Sequence, residues 1–425
     1  MQYPNYFEQL RMAIPLVMEE HNLPGFAIAF VRDEEVIFSD AYGYCDLTKG
    51  SPITSNTPFS VQSISKTYTA FGFMLAVQDG KAALDDALKK YVPAFAVKSR
   101  DGQDYSSEIT FRHLLKHRSG LAHEAPVGNN FAPGAFEEHI SSINDTYLRF
   151  KPDDQYSYSN LGIDLVAYAL EKMYHMPFDE YMKEKVFDPL EMSNSTFNQR
   201  EFLVHMDSAF GHDKTTLPKY PISMLGAGGM YSCVNDMAHF VTCFLNQGVY
   251  KGRKIMNNEI LRSMYNEYPI SDSWTYHLGM EIGLWKKRPL LNHNGGGFGF
   301  YATQDILPEN GFGAVALTNS VNHPNIQLSF IRNTWTDIFD MQELGLDDCK
   351  PLNESEIQYI GMYEATYNGG TWKLAVYPRN GKLYCNNQEL ISHEPGVYFT
   401  QANDCIQFGN DRMTYNYIPF QKQKN

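Results

Sequence analysis

Phe59-Ser60-Val61-Gln62-Ser63-Ile64-Ser65-Lys66, continuing through Thr67-Tyr68-Thr69-Ala70-Phe71-Gly72-Phe73-Met74-Leu75-Ala76-Val77-Gln78, is the stretch around which this chain is organised. Between Gly50 and Gln78 a single residue carries a full charge, and it is Lys66. A segment apolar on every side reads as a buried helix. Lysine is rarely buried without a partner, and no acid lies within helical reach of this one. Desolvation lowers a lysine pKa, and a neutral amine is a base. Ser63 stands three residues earlier, on the same helix face and one turn away. A hydroxyl beside a desolvated amine is an activated nucleophile. The spacing alone arises about once or twice by chance in a chain of this length, and a plain helix start with one snorkelling lysine would look the same.

At 425 residues the chain has room for two domains and a sizeable core. It is 43% hydrophobic and 20% charged, as in an ordinary globular protein. A net charge of −14 argues against nucleic acid or an anionic membrane as partner. The six cysteines (Cys45, Cys233, Cys243, Cys349, Cys385, Cys405) are too few and scattered for a disulfide framework, and none are paired at C-x-x-C spacing. The start, Met1-Gln2-Tyr3-Pro4-Asn5-Tyr6-Phe7, lacks a signal-peptide pattern. No run of eighteen apolar residues spans a membrane. As written, the chain reads as soluble: cytoplasmic as it stands, extracytoplasmic if a leader has been trimmed.

Outward from Ser63, residues 5–22 read as an amphipathic helix stopped by Pro24-Gly25, and Phe26–Val31 with Val36–Ala41 as a hairpin turning at Asp33-Glu34-Glu35. Thr110 caps a short helix from Phe111 to His117. Further helices are predicted over 161–172, 236–245 and 324–342. Strand character returns at Gly299–Ala302 and Phe312–Leu317. Strands thus stand at both ends of the first 345 residues with helices between. The fold class is α+β: one antiparallel sheet built from both ends of the domain, with helices packed on it and a helical region inserted, followed by a small all-β C-terminal module. The boundaries are 1–345 for the first domain, 346–355 for a linker and 356–425 for the module, where Asn380-Gly381 supplies a hairpin turn.

Acyl transfer also needs a relay for the leaving-group proton and donors for an oxyanion. Tyr156-Ser157-Tyr158-Ser159-Asn160, before an apolar helix, supplies phenols whose phenoxide form a nearby lysine would favour, and an amide able to donate and accept. His293-Asn294-Gly295-Gly296-Gly297-Phe298-Gly299-Phe300 supplies glycines that let backbone approach a ligand closely. Metal-ligand spacing occurs at His113 and His117, but no Glu follows His113 and no third ligand is evident. Their place in the last helical turn suits a dipole contact better. Asp153-Asp154 reads as a solvated loop.

Taken in order, Ser63-x-x-Lys66, Tyr158-x-Asn160 and His293-x-Gly295 resemble the motifs of the penicillin-recognising serine hydrolases: class C β-lactamases, D,D-carboxypeptidases, D-aminopeptidases and β-lactamase-like esterases. Leu84-Asp85-Asp86, His113 to Leu121 and Gly228-Gly229-Met230-Tyr231-Ser232 frame them, and the resemblance covers roughly residues 10–340. It implies that Ser63 is the acylated nucleophile, Lys66 or Tyr158 its base, and Tyr158 the carrier of the leaving-group proton, with Tyr156 a rival for that place. Asn160, His293 and Gly295 would bind substrate, and the N–H groups of Ser63 and Gly296 would form the oxyanion hole. No cofactor or metal is implied. Two departures stand out. The third motif opens on His293 where β-lactamases of this branch carry lysine, which suits a D-peptidase or esterase better than a penicillinase. Arg118 replaces a small polar residue.

The expected activity is therefore acyl-enzyme hydrolysis of an amide or ester: a D-amino-acid peptide, a small ester or a β-lactam. The alternative is a catalytically silent protein of the same fold that binds β-lactams or peptidoglycan fragments. The tail from 356 is similar to the lipocalin-like β-module that follows such domains in some relatives. The partner is a small-molecule or peptide substrate, and the oligomeric state is not readable from the sequence.

Overall fold

The computed structural model describes residues 2–48, 50–129, 132–204, 208–266, 273–322, 325–367 and 369–423. Along the chain come α1 (Pro4–Glu20), β1 (Gly25–Arg32), β2 (Glu35–Asp46), β3 (Ser51–Pro52), α2 (Ser65–Gln78), α3 (Phe111–Leu115), α4 (Asn160–Tyr174) and α5 (Val234–Leu245). Then follow β4 (Thr275–His277), β5 (Met280–Trp285), β6 (Arg288–Gly297), β7 (Phe300–Leu307), β8 (Phe312–Thr318) and α6 (Asn325–Glu343). The helix predicted over 324–342 is α6; residue 324 lies outside the described residues. Two compact units result, one of residues 26–328 and one of 1–25 with 329–425.

The larger unit holds an eight-stranded antiparallel sheet in the order β3-β2-β1-β8-β7-β6-β5-β4. The two ends of the unit meet at its centre, where Phe26 pairs Thr318, Ala29 pairs Val315 and Arg32 pairs Phe312. Both central strands are buried almost throughout, which is why they read as continuous apolar runs rather than alternating ones. The hairpin between β1 and β2 turns at Asp33, whose φ of 52° lies in the left-handed region that aspartate tolerates. Helix α5 lies against β8 at Gly313, where an added Cβ would come within 2.2 Å of Val241 Cγ1.

Helix α2 is buried from Ser65 to Ala76. Tyr68 and Phe71 set their rings 4.0 and 5.1 Å from that of Phe240 on α5. Tyr181 closes the other side by donating to the Gly72 carbonyl at 2.8 Å. The helix that carries Lys66 is therefore wrapped by packed rings, and water has no access to its first turn.

β4, β5 and β6 went unread in the sequence. They occupy 275–297, where Glu281, Asn292, His293, Asn294 and five glycines break any apolar alternation. A second correction concerns His117. Helix α3 ends at Leu115, so His117 lies beyond it with φ 56° and not in its last turn. His113 does fall in the last turn of this short helix, and it also completes a capping box with Thr110.

The smaller unit folds around a nine-stranded antiparallel sheet of Gly361–Lys422, with its own core of Val376, Leu383, Cys385, Ile406, Met413 and Phe420. Asn380 and Gly381 both take positive φ at its hairpin, as their dipeptide predicts. Asp348 accepts from the N–H groups of Asn5 and Tyr6, at 2.7 and 3.1 Å, and so caps α1. Arg379 grips Asp337 on α6 with two bonds of 2.6 and 2.9 Å, and the Tyr6 hydroxyl donates to the same carboxylate at 2.8 Å. Asp337 is 4% exposed, and stripping one partner from such a pair leaves an uncompensated buried charge. Arg379→Ala should therefore destabilise this unit by about 3–5 kcal/mol, read as an earlier urea transition for its strands in hydrogen exchange.

Candidate active site

Ser63 sits in a short 3₁₀ turn, Gln62–Ile64, that runs directly into α2. The preceding residue, Gln62, has φ 51°, a left-handed conformation uncommon for a side chain of this kind. Such outliers persist where surrounding contacts over-determine them. Here the Gln62 side chain donates to Ser60 Oγ at 2.6 Å, and its backbone carbonyl accepts from Ser65 Oγ at 2.6 Å. The turn presents the half-buried Ser63 hydroxyl to a cavity of about 180 Å³, whose wall includes Ser63, Glu124, Tyr158, Asn160, Gly296 and Phe298.

Lys66 Nζ lies 3.0 Å from Ser63 Oγ and donates to the Ala227 carbonyl at 2.7 Å. The side chain is 0% exposed. Burial lowers its pKa to about 7, against the opposing pull of Asp164 and Glu124. Asp164 is itself fully buried on α4. It accepts from the Ala227 N–H at 2.9 Å and from His139 Nε2 at 2.9 Å. Burial pulls the His139 pKa down, but Asp164 outweighs it and holds the imidazole above its ordinary value. The carboxylate therefore acts on Lys66 from behind the 225–228 turn, already matched to a partner of its own.

Tyr158, not Tyr156, reaches this centre. It lines the same cavity as Ser63, and Lys66 Nζ sits 4.8 Å from its ring centroid. Burial pushes the Tyr158 pKa well above its ordinary value, and the nearby Ser63 hydroxyl offsets this only in part. The resting group is a phenol, contrary to the phenoxide expected from a neighbouring lysine, because desolvation outweighs the attraction of an amine that is itself losing charge. Tyr156 is 52% exposed and lines a separate cavity with Lys116 and Arg118. Arg118, the second departure from the motif, is tied by its Nε to Asp153 at 2.5 Å.

The third motif lies within β6. Gly295 packs so closely on the Ser63 turn that a Cβ there would meet Val61 O at 2.1 Å and Ser63 N at 3.0 Å. Gly296 reaches the cavity wall. Pairing of β6 with β5 covers Arg288–Asn292, so the stretch from His293 onward extends beyond it toward Ser63. His293 itself does not line the cavity. It is 3% exposed, with Nδ1–H donating to the Asn294 carbonyl at 2.8 Å and Nε2 accepting from the Tyr276 hydroxyl at 3.0 Å. Burial, with a smaller contribution from Lys66, depresses its pKa to about 3, and the imidazole stays neutral.

Asn160 lines the cavity from the first turn of α4, where Ser159 caps the helix by accepting from the Gly162 N–H. Its amide donates to Glu124 Oε1 at 2.8 Å. Glu124 and His123 were not singled out in the sequence, although they follow the framing segment that ends at Leu121. His117 was read only as half of a metal-spaced pair. In the fold it holds Tyr158 from both flanks: its carbonyl accepts from Ser157 N–H at 2.8 Å and its Nδ1 from Ser159 N–H at 3.2 Å. Its ring packs 4.4 Å from that of Tyr158. Among the described residues no group of three or more His, Cys, Asp and Glu is arranged to hold a metal.

A family model described as Beta-lactamase matches residues 10–328. Protein flp of Staphylococcus aureus (strain MW2) is 23% identical over 327 residues, 73% of this chain and 63% of its own length. Penicillin-binding protein 4* of Bacillus subtilis (strain 168) is 21% identical over 397 residues, 84% of this chain and 83% of that protein. The chain spans between 44% and 63% of the first curated relatives it matches. The octameric penicillin-binding protein homologue from Pyrococcus abyssi superposes with a TM-score of 0.66 at 23% identity, over 97% of this chain and 95% of that one.

The depressed pKa of Lys66 has a consequence for stability. Between about 7 and the ordinary lysine value of 10.5 the unfolded chain binds a proton that the folded chain does not. Stability rises with pH wherever the unfolded state binds more protons. Over that window the native protein should gain on a Lys66→Met variant, by at most about 1.4 kcal/mol per pH unit, and below pH 7 the gap should be flat. Paired urea melts from pH 6 to 10 measure it.

Proposed function

This chain belongs to the Beta-lactamase family, and from that premise we propose that it is a serine acyl-hydrolase acting through an ester on Ser63. The observation that carries the reading is the 3.0 Å approach of a fully buried amine to the Ser63 hydroxyl. As Oγ attacks the substrate carbonyl, its proton passes to Lys66 Nζ and an Oγ–C bond forms. Charge that develops on the carbonyl oxygen meets the N–H groups of Ser63 and Gly296. Collapse breaks the bond to the leaving amine or alcohol, which takes its proton through the Tyr158 hydroxyl. Water then splits the ester, and the hydroxyl of Ser63 is restored.

The pKa directions divide the labour between the two candidate bases. An amine held near 7 is half in its basic form at neutral pH, whereas a phenol pushed upward is a proton donor. Lys66 is thus the base and Tyr158 the acid in the forward step. Asn160 positions the substrate amide.

The same features favour small amides and esters over penicillins. A cavity of about 180 Å³ is below the usual 300–1,000 Å³ of drug-sized sites. His293, where β-lactamases of this branch carry a permanent cation, is buried and neutral and gives a substrate carboxylate no counter-charge. A putative D-alanyl-D-alanine carboxypeptidase of Salmonella typhi, 23% identical over 297 residues, supports a peptide-like substrate.

A fluorophosphonate probe should label native protein on Ser63 and fail on Ser63→Ala, whose thermal unfolding stays unchanged. Lys66→Ala should slow labelling by roughly a thousandfold. Native acylation should climb with pH through a midpoint near 7, where Lys66 loses its proton. Turnover of nitrophenyl esters or D-alanyl anilides accompanies labelling in a hydrolase. Labelling without turnover of any of them would identify a silent binder instead.

A further inference from the structure

We propose that His139 is a positioning residue for this reaction: a buried imidazolium whose charge matches that of Asp164 and so sets the pH at which Lys66 can activate Ser63. The inference rests on the acyl-hydrolase reading above and names what tunes that site.

His139 lies on the helix Phe136–Ser142, and neither its side chain nor that of Asp164 touches solvent. Each ring nitrogen faces an oxygen. Nδ1 lies 2.8 Å from the Val127 carbonyl, which can only accept, so Nδ1 carries a hydrogen. Nε2 lies 2.9 Å from Asp164 Oδ2, while Asp164 Oδ1 accepts from the Ala227 N–H at 2.9 Å. With no proton between them, the lone pairs of Nε2 and Oδ2 would face each other in a dry interior. One proton therefore lies there, and it rests on the imidazole, the stronger base of the two. The seat is shaped for this ring. Gly128, next to Val127, has φ 84°, and a Cβ there would come within 2.5 Å of His139 Nδ1. Only glycine lets the chain close so tightly in that conformation.

The Ala227 peptide ties this pair to the reaction centre. Its N–H binds Asp164 and its carbonyl binds Lys66 Nζ at 2.7 Å, so the carboxylate stands one peptide unit behind the amine. A bare carboxylate in that place would hold Lys66 as an ammonium. One matched by an imidazolium exerts only the residual pull of an ion pair. The other ionisable groups facing Lys66 are Glu124, Tyr158 and the neutral imidazoles of His117 and His293. Around His139, Glu124 adds a weaker attraction. Glu137 and Glu138, on the same helix as His139, are engaged elsewhere, by the Tyr168 hydroxyl at 2.6 Å and the Ala135 N–H at 3.1 Å. Of these groups, His139 alone gives Asp164 a counter-charge at bonding distance.

The test follows fluorophosphonate acylation of Ser63 against pH in full-length native protein, His139→Gln, Asp164→Asn and the double variant. His139→Gln leaves the Asp164 charge unmatched, and the midpoint should rise by about one pH unit. Asp164→Asn removes both charges of the pair together and should leave the midpoint near its native place. Added to His139→Gln, it should bring the raised midpoint back. A histidine that only filled space would slow labelling without moving the midpoint, and no second substitution would restore it. Nitrogen-15 NMR of the native protein reads the charge directly: both His139 ring nitrogens should carry hydrogen at pH 8. A neutral ring at pH 8, an unmoved midpoint in folded His139→Gln, or a midpoint that drops in Asp164→Asn overturns the inference and leaves the hydrolase reading intact. Absence of labelling in native protein at every pH overturns both. If His139→Gln does not fold, the native ring nitrogens and the Asp164→Asn midpoint decide the matter.

Discussion

An amine with no water around it and a hydroxyl within bonding reach is the constraint on which the rest of this molecule depends. Lys66 is held where a charge is costly, by rings of Tyr68, Phe71 and Phe240 around its helix and by the Ala227 carbonyl at its tip. Two carboxylates oppose full neutralisation from a distance, and the balance falls near neutral pH. A drier setting would leave the amine always neutral but too weak to draw a proton from serine. A wetter one would leave it permanently charged. The depth of burial and the placement of Asp164 and Glu124 are therefore one adjustment, made by three segments far apart in the chain.

Much of this was legible in the letters. Ser63 and Lys66 announce themselves because the chemistry is local: three residues on one helix, in a stretch with no other charge. Tyr158, Asn160 and Gly296 belong to short motifs that are common one by one and telling only in their order along the chain, and the structure brings all three to the wall around Ser63. The α+β sheet assembled from both ends was equally visible, since its two central strands are plain apolar runs.

What stayed hidden was long-range or disguised by composition. Asp164 looks like a lone acid in an apolar helix until the fold sets it behind Ala227. His117 reads as a metal-spaced histidine until residues 157 and 159 return to it. β6 carries too many polar and glycine residues to look like a strand, yet its glycines are what let it lie against the Ser63 turn. His293 kept its motif position but turned inward to Tyr276. The phenol at Tyr158 was misjudged in charge because proximity to a cation was weighed and its own desolvation was not.

The pairing of β1 with β8 also governs how the protein comes into being. The Ser63 helix leaves the ribosome early, but the strand that completes the middle of the sheet is made only after some two hundred and fifty further residues (Ser63 to Phe312). At about 5–20 residues per second that interval is on the order of ten seconds or more. During it β1 has one strand edge without its final neighbour, and any truncated product ending before Phe312 lacks the centre of its sheet. Biosynthesis of this chain is thus a problem of waiting, in which β1 must be kept from aggregating until its central partner strand is translated.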